Sequence, residues 1–369
     1  MYDYLIVGSG LFGAIFAREL TDAGYRCLVI DKRSHIGGNC YTEKVQGIDV
    51  HIYGPHIFHT SSKRVWDYMN KWTDFNHFVY RPKVHNDQKL YSFPINLFTL
   101  YQLWGVKTPE HAKTKLEQVK IKNNNPKNME EWILSQVGQE IYEKFIYGYT
   151  KKQWGKEPKN LPTSIIKRLP IRLTMDDNYF EDCYQGIPKD GYTAIFKKLL
   201  NGIEVRLNTD YLSNKQSFDL VANKIVYTGP IDEFFQYDLG YLEWRSLRFE
   251  HELHDISDYQ GNAAINYTDE NVPYTRIVEH KHFIFGKHDK TVITKEYPQN
   301  WDKTKEKFYP VNDEKNNDLF KKYKDRINSE KYILGGRLAD YKYYDMHQVV
   351  ASALVRAEKE IQIMKRIKT

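Results

Sequence analysis

The chain opens with a short apolar run, Tyr4-Leu5-Ile6-Val7, broken at once by Gly8-Ser9-Gly10-Leu11-Phe12-Gly13. Helical spacing follows from Ala14 to Leu20, and a second apolar run, Cys27-Leu28-Val29-Ile30, ends at Asp31. Strand, glycine turn, helix and strand together predict a βαβ unit. From about residue 96 the pattern changes. Thr108-Pro109-Glu110 predicts a helix start, with threonine as N-cap and proline at the first helical position. Asn128-Met129-Glu130-Glu131 has the form of a capping box, and Trp132, Ile133, Val137, Ile141 and Phe145 then recur at helical spacing. The polar stretch between these helices, 120–127, reads as a loop. Between about 244 and 300 the period shortens to two. Leu247, Phe249, His251 and Leu253 alternate with polar residues, as do Tyr274, Arg276 and Val278, and Thr291 to Tyr297 forms another strand. Asp345 to about Ile367 closes the chain with a helix whose face carries Met346, Val349, Val350, Ala353, Leu354, Ala357 and Ile361.

Composition narrows the class. With 369 residues the chain is long enough for two or three structural units, and 41% hydrophobic residues supply a sizeable core. No window approaches the roughly 18 apolar residues of a membrane span, and the first apolar run lacks the basic flank of a signal peptide. Cys27, Cys40 and Cys183 are odd in number and lack metal-ligand spacing, so a reduced, cytoplasmic protein without a metal site is expected. The net charge of +6 admits nucleic acid, a membrane surface or an anionic small substrate. Basic pairs such as Lys151-Lys152 and Lys321-Lys322 sit among acids and form no long block, which favours a solvated surface for each. The 29 tyrosines and seven tryptophans suit stacking and hydroxyl contacts to a polar ligand.

The glycine turn carries the first chemistry. Gly8 allows the tight turn, Gly10 lets backbone approach a pyrophosphate, and Gly13 lets helix pack on strand. The helix start offers free N–H groups to phosphates, and Asp31, about 20 residues on, is placed to accept from a ribose. Lys32-Arg33 and then Ile36-Gly37-Gly38-Asn39 follow. This run resembles FAD-binding flavoproteins of the glutathione-reductase and amine-oxidase type. Gly335-Gly336-Arg337-Leu338 ahead of the last helix is a second glycine loop, and a helix start there would favour negative charge on a reduced flavin. FAD is therefore expected, rather than NAD.

Further blocks carry a narrower resemblance. Tyr53-Gly54-Pro55-His56-Ile57-Phe58-His59-Thr60, Tyr149-Thr150-Lys151-Lys152-Gln153-Trp154, Arg168-Leu169-Pro170-Ile171-Arg172, Gln185 to Tyr192, Pro273 to His280 and Gly336 to Met346 all look like bacterial UDP-galactopyranose mutases. They occur in that family's order and spacing over nearly the whole chain. The resemblance implies interconversion of UDP-galactopyranose and UDP-galactofuranose on reduced FAD, with no net redox change. In this scheme flavin N5 displaces UDP from the sugar, and the covalent flavin–sugar adduct opens and recloses. It implies Arg168, on a mobile loop, and Arg276 as diphosphate ligands, and His56 beside the flavin, sensing its state through protonation or tautomer. It places Phe145, Tyr149, Trp154, Tyr179, Asn266, Tyr309 and Tyr343 at the substrate. Gly8, Gly10, Gly13, Asp31, Arg33, Gly38, Asn39, Arg337, Asp345 and Met346 are then the cofactor set.

The fold expected is α/β: a Rossmann-like FAD-binding domain with an inserted helical bundle and an antiparallel β-sheet domain. The FAD-binding part takes 1–75, 189–240 and 330–369, the helical part 96–165, and the sheet 76–95, 166–188 and 241–329. The resemblance also implies a homodimer through the helical part, with a UDP-sugar as partner and neither nucleic acid nor membrane. An amine-oxidase-type oxidoreductase shares the fold, but the paired arginines and the Tyr-Thr-x-x-Gln-Trp block weigh against it. A non-catalytic FAD-fold carrier is disfavoured by the two intact glycine loops.

Overall fold

A computed structural model describes residues 1–167 and 169–368. The expected first unit is a five-stranded parallel sheet in the order Tyr332–Leu334, Ala222–Tyr227, Tyr2–Val7, Cys27–Ile30, Glu204–Arg206. The apolar runs are continuous because both faces are covered. Tyr4 and Ile6 point into a core with the helix Leu11–Asp22 and the C-terminal helix Met346–Lys368, while Leu5 packs with Leu28 and Ile225 on the other face. Small residues make the helix–helix approach close, since Ala14, Ala17, Ala353 and Ala357 are all fully buried there.

A second large sheet has seven strands: Tyr309–Pro310, Trp244–His254, Thr291–Asn300, Arg276–Glu279, Ala264–Tyr267, Lys83–Asn86 and Lys89–Ser92. It is antiparallel except where Ala264–Tyr267 lies parallel to Lys83–Asn86. That junction joins a hairpin from early in the chain to strands from late in it, so no local pattern announces it.

Between the hairpin and the late strands the chain forms helices Leu97–Trp104, Pro109–Val119 and Met129–Ile141. Each N-cap is a side chain that satisfies an otherwise unpaired amide: Asn96 accepts from Phe98 and Thr99, Thr108 from His111, and Asn128 from Glu131. The third helix is broken inside by Gly138 at φ 77°, where a Cβ would lie 2.4 Å from the Val119 carbonyl oxygen. A π-helical turn, Tyr142–Tyr147, then leads into the short helix Gly148–Trp154. Such turns widen a helix and turn side chains that regular spacing would not align. The helix Glu314–Lys324 packs Leu319, Phe320 and Tyr323 against Ile231, Tyr341 and Trp244, the first residue of a strand in the seven-stranded sheet.

Candidate functional site

Two cavities meet on this surface. The first, of about 1380 Å³ including its open mouth, lies over the carboxyl ends of the parallel strands. Gly8, Gly10, Gly13, Asp31, Arg33, Gly38, Asn39, Arg337 and Met346 all line it. Gly10 and Gly38 stand backbone to backbone across its floor, so close that a Cβ on Gly38 would lie 3.0 Å from the Gly10 Cα. Gly10 caps the helix Leu11–Asp22 without a side-chain acceptor, which leaves the first helical amides for a ligand. Gly13 admits no side chain, because its Cβ would be 1.9 Å from the Gly8 carbonyl oxygen.

Asp31 serves the turn as well as the groove. It accepts from the Ser9 amide at 2.8 Å and the Ser9 hydroxyl at 2.6 Å, and from the Arg33 amide at 3.0 Å. Arg33 lays its guanidinium over the Tyr53 ring at 4.3 Å and donates to Asn39 Oδ1 at 3.0 Å and Glu306 Oε2 at 3.2 Å. On the far wall Arg337 donates to the Tyr344 carbonyl.

The second cavity lies between the helical part and the seven-stranded sheet. Phe145, Tyr149, Trp154, Tyr179, Asn266, Arg276, Tyr309 and Tyr343 all line it. Arg276 is its centre, donating to Asn266 Oδ1 at 3.0 Å and to the Tyr149 hydroxyl at 3.1 Å. Burial opposes the Arg276 charge, but Tyr80, Tyr149, Glu296 and Tyr309 around it outweigh burial and hold the guanidinium well above its ordinary pKa. Tyr309 and Tyr343 stack at 5.1 Å, with Arg337 5.7 Å and 5.6 Å from their ring centres. Asn39, His56, Arg337 and Met346 face both cavities and form their common wall.

Asp345 lines the second cavity and not the first, directly ahead of the C-terminal helix Met346–Lys368. Protonation of His56 is closed near neutrality, since burial pushes the ring down to about 4. Its Nδ1 meets the Gly54 carbonyl at 2.8 Å and must carry the hydrogen there, leaving Nε2 with the lone pair. Arg168 lies outside the described residues.

Sequence reasoning missed Glu296 and Tyr80, both on the wall of the second cavity. Glu296 Oε1 and the Tyr80 hydroxyl are buried without a hydrogen-bond partner among the described residues, as polar groups awaiting a ligand are. Burial raises the Glu296 carboxyl, with Arg276 pulling the other way. No sequence signal marked Glu296; the strand register sets it directly opposite Arg276. Asp258, Glu279 and His282 also meet, although no spacing suggested it. They lie outside both cavities, and the Lys281 ammonium sits 2.8 Å from Asp258.

Comparison with known proteins places this geometry. The sequence profile of the UDP-galactopyranose mutase family matches residues 144–343, and that of an NAD(P)-binding Rossmann-like domain matches residues 6–72. A dTDP-fucopyranose mutase of Escherichia coli is 40% identical over 98% of this chain and 99% of its own. A probable UDP-galactopyranose mutase of Klebsiella pneumoniae is 40% identical over 97% of this chain and 94% of its own. The UDP-galactopyranose mutase of Mycoplasma pneumoniae is 31% identical over 98% and 96%. The crystal structure of a reduced UDP-galactopyranose mutase shares the fold, with a TM-score of 0.78 at 14% identity over 98% of this chain and 94% of that one. Likeness of this extent makes the chain a member of the UDP-galactopyranose mutase family, whose enzymes are isomerases.

Proposed function

We propose that this enzyme interconverts UDP-galactopyranose and UDP-galactofuranose with reduced FAD in the first cavity. The observation that carries the reading is the half-buried Arg276, backed by Tyr149 and Asn266, in a cavity that opens onto the glycine-lined groove. The groove suits FAD: its floor is bare backbone at Gly10 and Gly38, and uncapped helix amides face a pyrophosphate. When bound, reduced FAD supplies a nucleophilic N5 for covalent transfer of the sugar.

The chain's own residues do the rest. Arg276 offers a permanent cation to the diphosphate, whose charge grows as the sugar leaves, and charge-assisted donors are strong in a dry site. Arg168 supplies the second cation in this reading. Tyr149, Tyr309 and Tyr343 bring hydroxyls that keep UDP in place for the return step. His56 works as a neutral imidazole with its Nε2 lone pair free. The C-terminal helix starts at Met346, on the wall between the cavities, so its positive end favours negative charge there. The same reading takes the enzyme as a cytoplasmic homodimer joined through the helical part, which light scattering tests directly.

A dTDP-fucopyranose substrate is the second reading, favoured by the Escherichia coli relative at the same 40% identity. Dithionite-reduced enzyme given UDP-galactopyranose and dTDP-fucopyranose in separate reactions decides between them by chromatography of the furanose product. Turnover of the dTDP-sugar alone overturns the first reading, and turnover of neither overturns both.

A further inference from the structure

The short helix Gly148–Trp154 presents two faces. Tyr149 and Gln153, one turn apart, look into the second cavity. Gly148 and Lys152, also one turn apart, look the other way, onto the loop 268–275 that joins the strands bearing Asn266 and Arg276. Gly148 touches that loop so closely that a Cβ would lie 2.1 Å from the Thr268 carbonyl oxygen. Lys152 reaches into it.

Its ammonium lies 2.9 Å from the carbonyl oxygen of Tyr267, 2.8 Å from that of Asp269, 2.9 Å from that of Val272 and 3.0 Å from that of Tyr274. An ammonium has three protons, so four carbonyl oxygens at this range exceed what hydrogen bonding alone requires. The arrangement is that of a dehydrated monovalent cation, whose water shell is replaced by backbone carbonyls. Burial works against the charge, while the carboxylates of Asp269 and Glu270 support it. The two ends of the loop are the strand residues Tyr267 and Arg276, so a cation that gathers the loop's carbonyls fixes where Arg276 starts. Because the same cation hangs from the helix carrying Tyr149, it also sets the separation of Tyr149 and Arg276, now at 3.1 Å.

We propose that Lys152 is a positioning residue, a tethered cation in a four-carbonyl cage that holds Arg276 and Tyr149 at the spacing the diphosphate needs. The role rests on the substrate reading above, and UDP titration of wild type and variants separates the two. Lys152→Met keeps the side-chain length and removes the charge. It should weaken UDP binding by about tenfold or more, raise KM more than it lowers kcat, and leave the flavin absorbance and the circular dichroism unchanged. Lys152→Ala opens the cage to free cations. Ammonium or potassium chloride should then restore UDP affinity, and choline chloride at equal ionic strength should not.

UDP affinity of Lys152→Met within about twofold of wild type overturns the role, as does a Lys152→Ala response that is the same in ammonium and choline. If neither variant folds even in ammonium, Lys152 is a folding element and the positioning role is wrong. A wild type that binds neither UDP nor dTDP overturns the substrate reading, and this role with it.

Discussion

Arg276 and Glu296 stand directly opposite each other on adjacent antiparallel strands, with 3.9 Å between guanidinium and carboxylate. The separation is too long for a fork of hydrogen bonds. Arg276 spends its donors on Asn266 and Tyr149 instead and keeps its charge turned to the cavity. Arg276→Ala should therefore weaken UDP binding by about 1.5–3 kcal/mol, the size of a hydrogen bond to a charged group. Glu296→Gln retains the shape and leaves the cation unopposed, so UDP binding should persist. Calorimetric titration of both variants, with flavin absorbance as control, checks the contrast; equal losses in both contradict it.

The glycine floor separates binding from folding. A Cβ on Gly10 meets nothing nearer than the Gly38 Cα at 3.8 Å, so Gly10→Val should fold yet fill the groove and emerge colourless after purification. Gly13→Val places atoms on the Gly8 carbonyl oxygen and should lower the thermal midpoint or prevent folding. A yellow Gly10→Val protein counts against the cofactor site.

Two buried imidazoles, His51 and His280, and the half-buried His56 make the fold sensitive to acid. Burial lowers His51 and pushes His56 down to about 4 and His280 down to about 3, whereas a free imidazole titrates near about 6.5. Below that pH the unfolded chain takes up protons that the folded chain refuses. The stability these rings contribute is thus complete above about pH 6.5 and is lost as pH falls through about 4. For His56 alone the loss is about 3 kcal/mol. Thermal midpoints measured between about pH 7 and pH 4 should fall steeply, and His280→Asn should make the slope shallower.

The chemistry has its own test. Oxidised enzyme should be inactive, and reduced enzyme should turn over many times per reductant added, since isomerisation returns the cofactor unchanged. With cyanoborohydride and UDP-galactose, mass spectrometry of the extracted cofactor should show reduced flavin carrying one hexose less water plus two hydrogens, only after prior reduction. One reductant consumed per product marks an oxidoreductase instead.

How much of this was legible depends on the distance over which each feature is determined. The βαβ opening and the caps at Thr108 and Asn128 are set by neighbours within a few residues, and they stand where the sequence put them. The parallel junction of Ala264–Tyr267 with Lys83–Asn86 brings together segments about 180 residues apart, and periodicity carries no information on that pairing. The break at Gly138 escaped because the apolar spacing runs straight through it. The neutral state of His56 follows from its surroundings in the fold, which the block Tyr53 to Thr60 does not reveal.

Asn39, His56, Arg337 and Met346 face both cavities, so whatever fills one becomes part of the wall of the other. The two binding equilibria then share a thermodynamic cycle. Whatever factor tightens UDP when the flavin is reduced must, by reciprocity, also favour reduction of the flavin when UDP is bound. An electrode and a titration calorimeter, applied to the same protein, would read one coupling constant from its two ends.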